Sequence, residues 1–422
     1  MSDSIVQAVS SHPLMVAGEA AVMQADKSVW EQRSSFFPTL GVSAEGGRLA
    51  NNDDTTRAST ADSGGASSWI GQGTVTLTQP VFAGFGIVNR VLSAKDKYSA
   101  AVYDMDSQAG DIALRAARAH LNLMRTKELL GLASGLLTTV ESRYRKISMM
   151  VKGGAASESE LLQANDVVAS VKNTRLGYEE AFRGAEADYR EAVGGVPDTV
   201  LEIGDPSWNA MMPATVDDAV STAVGGNSRV LSAEKMASSM AKDTSVVQSE
   251  LLPHLDATVS YMKKDQQDVV GGEGTSAQAM LRLGWNFSLG GAQFARVGKS
   301  RQQEKEAAAR RRDLVRNVER DVRQKYATMI VTDQQFALLS SKEDDTKKLF
   351  DNYVSQYEGG KQSNVQLLVA NAKVFESQAA RTDAYYRRLL ARLELLNAMG
   401  KLGDTFKAPP PAANVGGENK KG

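Results

Sequence analysis

Lys152-Gly-Gly-Ala155 and Glu358-Gly-Gly-Lys361 carry the same Gly-Gly break 206 positions apart, with Gly154 answering Gly360. Working outward, the same offset relates Leu77 to Leu283, Val81 to Phe287, Gly84 to Gly290, Arg90 to Arg296, Ser157 to Ser363, Leu161-Leu162 to Leu367-Leu368 and Gly194 to Gly400. One offset held over about 120 positions without a gap marks a tandem duplication. Upstream, Pro38 and Pro253 stand 215 apart, so the first copy has a loop about nine residues longer between Pro38 and Gln79.

Proline fixes φ and removes a backbone donor, so long proline-free runs are where long helices are allowed. The ten prolines leave two such runs, 81–196 and 254–408. Each copy therefore reads as helix, proline, strand pair, very long helix, Gly-Gly break, helix. The expected layout is a first helix over 1–37, a hairpin over 38–80, a long helical hairpin over 81–196 with its tip near 153–155, and a linker over 197–215. It repeats as a helix over 216–252, a hairpin over 253–289 and a helical hairpin over 290–402 with its tip near 359–361; the tail 403–422 reads as disordered. The first helix of each copy is read as continuous, roughly 3–36 and 216–251.

The returning helix of each copy has a seam. Leu368, Ala372, Phe375, Ala379, Thr382, Tyr386, Leu389, Leu393 and Leu396 alternate steps of four and three. Leu161, Ala164, Val168, Val171, Arg175, Tyr178, Phe182, Ala185, Tyr189 and Ala192 do the same, with Arg175 the exception. A repeat of about 3.5 residues is a coiled-coil seam.

Between the helices the period drops to two. Leu40, Val42 and Ala44 alternate with Thr39, Gly41, Ser43 and Glu45; Gly73, Val75 and Leu77 alternate with Thr74, Thr76 and Thr78. In the second copy Leu255, Ala257, Val259 and Tyr261 alternate with Asp256, Thr258 and Ser260. Ala279, Leu281, Leu283, Trp285 and Phe287 then alternate with Met280, Arg282, Gly284 and Asn286. Each alternation gives a sheet face of apolar residues and one of polar residues. Polar tracts over 51–68 and 263–276 link the strands.

Composition excludes several classes of function. The 422 residues are 42% hydrophobic but only 6% aromatic, which suits long helices packed side by side. A net charge of −1 offers no basic excess for nucleic acid. Zero cysteines exclude disulfides, zinc–thiolate sites and thiol nucleophiles. His12, His120 and His254 are isolated in the sequence, and no phosphate-binding GxxxxGK[ST] loop occurs. No enzyme, cofactor or metal is expected. The cluster Arg310-Arg-Arg312 with Arg316, Arg320 and Arg323 is interleaved with Glu304, Glu306, Asp313, Glu319 and Asp321, which reads as a salt-bridged helix surface.

Strands of about ten residues can cross a bilayer when tilted. In lipid every backbone group must be paired, and outer-membrane barrels start at about eight strands. If the four strands enter a membrane, the chain must oligomerise. A helix from about 86 to 151 extends on the order of 100 Å. Two of these, each returning through a shorter partner, fit a bundle or tube, and a tube ending in a small barrel is a conduit.

At this point the residues resemble a known family. Thr78-Gln-Pro-Val-Phe-Ala-Gly-Phe85 with Asn89-Arg-Val91, and Trp285-Asn-Phe-Ser-Leu-Gly-Gly291 with Ala295-Arg-Val297, resemble the strand-to-helix junctions of TolC-family outer-membrane proteins. Tyr357-Glu-Gly-Gly-Lys-Gln-Ser363 and Leu395-Leu-Asn-Ala-Met-Gly-Lys-Leu402 resemble that family's second hairpin and closing segment. The resemblance spans roughly residues 3–402, duplication included. It implies a mainly α fold with β: a homotrimer with a twelve-stranded barrel in the outer membrane of a Gram-negative bacterium, continued by a twelve-helix tube in the periplasm. An equatorial region would come from 197–215 and the chain end. The expected partners are a periplasmic adaptor (membrane-fusion) protein, an inner-membrane pump that is ABC-type or proton-driven, and outer-membrane lipid.

Met1-Ser-Asp-Ser-Ile5 has no basic and apolar signal regions. Because family members are made with a cleaved signal, the expectation is a mature chain behind a new Met. The lack of a lipid-anchor Cys slightly favours type I protein secretion over drug efflux. The rival reading is a soluble or peripheral coiled-coil scaffold without a pore.

The resemblance also assigns sites. Gly153, Gly154, Ala155, Gly359, Gly360 and Lys361 are helix-stopping tips that would dock the adaptor. Just past the tips the family often places acidic gate residues; Glu160 falls there, whereas the matching sites Gln366 and Val369 are not acidic. Three copies of Glu160 around a narrow entrance would bias cation passage; the alternative is an ordinary solvated helix face. Val75, Leu77, Tyr261, Leu281, Leu283 and Trp285 are expected to face lipid, with Trp69, Trp285, Tyr261 and Phe287 in interfacial belts and Arg282 turned to the lumen.

Overall fold

The computed structural model describes residues 1–51, 66–195, 210–266 and 273–403. Most of the polar tract after β1, part of the second tract, nearly all of the 197–215 linker up to 209, and the tail from 404 lie outside the described residues. The described residues are mostly helical with four antiparallel strands. In order the elements are α1 (Ser2–Ser11), α2 (Pro13–Ser34), β1 (Thr39–Asn51), β2 (Ala66–Ala83), α3 (Gly86–Lys152) and α4 (Glu158–Val193). There follow α5 (Val216–Gly226), α6 (Ser228–Ser249), β3 (His254–Gln266), β4 (Gly274–Gly284), α7 (Ala292–Glu358) and α8 (Asn364–Ala398). The two long helices, α3 and α7, are 67 residues each. No helix among the described residues is long and apolar enough to cross a membrane.

The first helix of each copy is broken rather than continuous. After α1, His12 turns extended (φ −69°, ψ 132°) and Pro13 opens α2. Proline has no N–H to give an i−4 carbonyl and its ring collides with that turn, yet it suits a helix start. In the second copy Asn227 (φ −73°, ψ 122°) breaks the chain 215 positions on from His12. There Asn227 Oδ1 accepts the N–H of Arg229 and Nδ2 donates to the Ala398 carbonyl. Side-chain capping makes the joint in both copies, His12 Nδ1 accepting the Leu14 N–H at 3.1 Å as Asn227 Oδ1 accepts that of Arg229, and the first copy adds Pro13.

Two compact units emerge. One gathers 1–20, 103–231 and 313–403; its core lies where α3, α4 and α8 meet. Ala113, Ala116, Ala117, Leu121, Tyr189, Leu393 and Leu396 form one cluster, and Leu129, Ala133, Val140, Val168, Leu368 and Phe375 another. The many alanines let helix backbones approach closely. Of the α8 seam, all but the half-buried Ala372 are buried, which is where a 3.5-residue repeat should put them. His120 lies in this core with Nδ1 3.1 Å from Ser4 Oγ, which accepts the Tyr189 hydroxyl at 2.8 Å.

The second unit, 21–102 and 232–312, holds the sheet, in the order β1-β2-β3-β4. The hairpins repeat in register: Thr39 opposes Thr78 as His254 opposes Gly284, and the duplication offsets carry one pair onto the other. β4 stops at Gly284, so Trp285 and Phe287 lie beyond the strand expected to contain them. The reason is pairing: Gly284 opposes His254, the first residue of β3, and Pro253 precedes it. Strand β2 runs on to Ala83 because its end pairs with β3 through a bulge between Pro80 and Phe82.

Candidate functional site

The sheet register assembles the apolar alternations onto one face. Leu40, Leu77, Val259 and Ala279 form one cross-strand row; Val42, Val75, Tyr261 and Ala277 form the next. Leu255 opposes Leu283 and Ala257 opposes Leu281 on the same face. Directly opposed residues share a face, so these side chains make one patch. Thr74, Thr76, Thr258, Ser260, Met280 and Arg282 lie on the other face.

Burial is inverted relative to a water-soluble sheet. On the two inner strands the polar-face residues Thr74, Thr76, Thr258 and Ser260 are half-buried, whereas Val75, Val259 and Tyr261 are 41%, 54% and 50% exposed. Leu255 and Ala257, at the start of the apolar row of β3, are half-buried as well, so the exposed apolar residues of the inner strands are Val75, Leu77, Val259 and Tyr261. Along β3 the apolar row runs from Leu255 to Tyr261, about 20 Å, before Lys263 and Asp265 take over.

Aromatic side chains gather where the strands meet the helices. Phe82, near the end of β2, and Phe85, just after it, stack edge-on at 5.6 Å, and Trp285 and Phe287 sit 4.7 Å apart after β4. The Trp285 indole N–H donates to the Leu251 carbonyl at 3.1 Å. Phe85 is held at φ +64°, an outlier for a bulky residue, and remains 64% exposed. Its counterpart by offset, Gly291, takes the same conformation without strain (φ 71°). Phe82 and Phe85 belong to the junction segment Thr78–Phe85 quoted above but were not assigned to an aromatic belt, and Phe37 was not singled out.

Both helical tips use one local design. Gly154 (φ 76°) and Gly360 (φ 71°) terminate α3 and α7 in the left-handed region. The Ala155 N–H donates to Met150 O and Gly154 N–H to Val151 O, while Lys361 and Gly360 donate to Gln356 O and Tyr357 O. These are paired Schellman bonds. Gly153 and Gly359 lie in the same turns, their own N–H groups continuing the helical pattern to Met149 O and Ser355 O.

The expected gate residues start the returning helices. Ser157 Oγ accepts the Glu160 N–H at 3.3 Å and Glu160 Oε2 accepts the Ser157 N–H at 3.2 Å. Ser363 and Gln366 repeat the arrangement at 3.3 and 3.2 Å. These are capping boxes, and the S-x-x-E/Q spacing would have revealed them. Val369, one turn on, is 45% exposed.

Along α8 a ladder of polar contacts ties it to α3 and α7, which the sequence reading also missed. Glu128 accepts from the Thr382 and Tyr386 hydroxyls at 2.9 and 3.0 Å, and Arg125 pairs with Asp383 at 2.7 Å. Asp333 receives Arg388 and Arg392 at 2.6 and 3.0 Å, and Phe336 lies under the Arg381 and Arg388 guanidiniums. Glu394 takes Lys325 at 2.7 Å and Arg118 at 2.8 Å. Burial works to raise the Glu394 carboxyl, but hydrogen bonds and charge from Lys325 and Arg118 outweigh it and hold the pKa below its ordinary value. Burial and then the charge of Glu128 push the Tyr386 hydroxyl well above the usual tyrosine range. The arginine cluster on α7 is ion-paired where its partners are in reach, Arg310 with Glu306 and Arg311 with Glu234. Among the described residues no group of acidic or histidine side chains is arranged to hold a metal.

Residues 4–195 and 219–401 match the family described as outer membrane efflux protein. The chain belongs to that family. The outer membrane efflux protein BepC of Brucella suis biovar 1 (strain 1330) is 19% identical over 412 residues, covering 95% of this chain and 85% of BepC. Among solved structures, a membrane protein from Pseudomonas aeruginosa matches with a TM-score of 0.82 at 15% identity, covering 94% of this chain and 92% of that one. The Campylobacter jejuni CmeC outer membrane channel matches with a TM-score of 0.81 at 14% identity, covering 94% and 85%. At such identities the likeness concerns the fold, and it is that of TolC-family channels, as the junction residues implied.

Proposed function

We propose that this outer membrane efflux family member is the passive exit duct of a tripartite export system in the outer membrane of a Gram-negative bacterium. The observation that carries the reading is a four-stranded sheet with two open edges whose apolar residues share one face and include the exposed Leu40, Val42, Val75, Leu77, Val259, Tyr261, Leu281 and Leu283. Lipid tolerates no unpaired edge, and the described residues of one chain contribute four strands. Three copies give twelve, in a barrel made of the hairpins 38–80 and 253–289. The helical hairpins 81–196 and 290–402 continue it as a twelve-helix periplasmic tube, with 197–215 as an equatorial linker.

In this reading Val75, Leu77, Tyr261, Leu281 and Leu283 meet outer-membrane lipid, and Trp285 joins Phe82, Phe85 and Phe287 in an interfacial belt. The tips at 153–155 and 359–361 meet a periplasmic adaptor, and Glu160, Gln366 and Val369 line the entrance. An inner-membrane pump supplies the energy. The name of the Brucella relative, an outer membrane efflux protein, supports export as the class of function. The cargo expected from the sequence, secreted protein slightly ahead of small toxic compounds, is tested by deleting the chain and assaying culture supernatant and drug tolerance in parallel.

The duct itself is tested by planar-bilayer conductance of detergent-extracted protein, with oligomer mass measured on the same preparation. A trimer giving discrete single-channel steps is expected. A dispersed water-soluble species without conductance defeats the reading and leaves the scaffold.

A further inference from the structure

The first copy holds a cavity that the second copy closes. It lies among α3, α4 and α8, has a volume of about 580 Å³, and so falls in the usual range of small-molecule sites. All of its lining belongs to the first compact unit. Ala119 of α3 and Asp188 of α4 are part of the wall. The offset of 206 carries them to Lys325 of α7 and Glu394 of α8, where the ammonium meets the carboxylate at 2.7 Å. Alanine at 119 supplies neither the long side chain nor its charge. The equivalent space in the first copy stays open, and Asp188 is left without that cation.

Most of the other charges around the cavity are already matched. Four guanidiniums line it, and three are engaged: Arg115 with Glu191 at 2.6 Å, Arg118 with Glu394 at 2.8 Å, and Arg125 with Asp383 at 2.7 Å. The fourth, Arg387, is exposed, as is Asp188, and among the described residues neither has an ion-pair partner. Both face one cavity without pairing to each other, so the groups that would meet them must be separated by a spacer. Ala192 and Tyr386, 2% and 6% exposed, give the cavity an apolar floor. The Tyr386 hydroxyl donates to Glu128 at 3.0 Å, which leaves the ring for packing. Helix α1 does not roof the site. It meets α3 through His120, on the face opposite the row Arg115, Arg118, Asn122 and Arg125.

We propose that this cavity binds an amphoteric organic molecule, an amine and an acid carried on an apolar body. The amine pairs with Asp188, in the place that the Lys325 ammonium holds against Glu394 in the second copy. The acid pairs with Arg387, and the body covers the apolar floor. A ligand with only one of the two charges leaves either Arg387 or Asp188 unmatched beside it. The site is complete within one chain, so it stands apart from the duct reading.

The probe is the zwitterionic dipeptide phenylalanyl-phenylalanine, compared with its N-acetyl form, which keeps only the acid, and its C-terminal amide, which keeps only the amine. Equilibrium dialysis against detergent-extracted protein, with protein-free detergent as the blank, should show one saturable site per chain for the dipeptide. Each capped form should bind about tenfold more weakly, the loss of one charge-assisted contact. Asp188→Asn should bring the dipeptide down to the level of its N-acetyl form, and Arg387→Gln to that of its amide. Both side chains are exposed, so neither change disturbs the fold. Ala119→Lys rebuilds the bridge of the second copy and should abolish binding. A capped form that binds as tightly as the dipeptide, or binding that Asp188→Asn and Arg387→Gln leave unmoved, overturns the proposal. So does a folded oligomer with no saturable binding, which would mean that a neighbouring copy fills the cavity. Conductance and oligomer mass are read separately, so none of these outcomes bears on the duct.

Discussion

A single backbone angle governs each tip. Gly154 sits at φ 76° with open space around a would-be Cβ, so its requirement for glycine comes from the backbone and not from a neighbour. Gly153 lacks that requirement, and a Cβ there would make ordinary contact with Met149 O at 3.5 Å. Gly154→Ala is therefore expected to destabilise the tip by about 1–2 kcal/mol, with Gly153→Ala close to neutral. Hydrogen exchange at amides 149–157 reads the difference, and equal effects from the two would remove the left-handed argument. Six residues beyond Gly154, Glu160 has two separable attributes, its charge and its capping bond. Gln366 makes the same box without charge. Glu160→Gln should thus keep the helix start, lose roughly 0.3–1 kcal/mol of dipole stabilisation, and reduce cation preference in a bilayer recording. Unchanged selectivity with an intact fold takes Glu160 out of the lumen.

At the scale of elements, α8 is held by chemistry as much as by its seam. Glu394 joins Arg118 of α3 to Lys325 of α7 with its side chain only 16% exposed. A carboxyl whose folded pKa is lowered stabilises above its ordinary value of 4.5, and that contribution disappears as pH falls through the lowered value. Glu394→Gln should lower stability at neutral pH by about 1–2 kcal/mol and flatten the acid limb of a Tm-against-pH curve below 4.5. An acid limb identical to the parent's would show that other carboxylates dominate. The seam itself was legible because a 3.5-residue repeat within one helix is written in consecutive residues. The ladder was not, since Glu128, Asp333 and Glu394 become partners only when three helices stand in register. The joint at His12 was overlooked because proline at the first turn of a helix looks, in sequence, much like proline inside one, and at Asn227 no proline marks the break. The end of β4 was overread because alternation continues through Trp285 and Phe287 after the ladder partner has run out.

For the whole molecule, the duplication makes claims that no single site can. The face patterning of both hairpins was readable from period-two alternation, and the matching hairpin registers tie the two copies position by position. What alternation does not contain is which face looks outward. The duct reading takes the apolar face as the outer one, and the exposure of Val75, Leu77, Val259, Tyr261, Leu281 and Leu283 supports that choice. If six quasi-equivalent hairpins ring a barrel, a substitution and its offset partner should have matched effects. Val75 and Leu281 are such a pair on the apolar face, and Thr74 and Met280 are their neighbours on the polar face. Val75→Arg and Leu281→Arg should each lower insertion into vesicles, by about 2–4 kcal/mol if they sit near mid-bilayer, because an arginine there must leave water. Thr74→Arg and Met280→Arg place the same charge in an aqueous lumen, where assembly survives and only conductance shifts. Assembly lost equally from both faces would mean that the apolar face meets protein on one side and the polar face on the other. Loss at Leu281 but not at Val75 would break the equivalence of the two hairpins while keeping the membrane, since β4 is an edge within the chain and β2 is not.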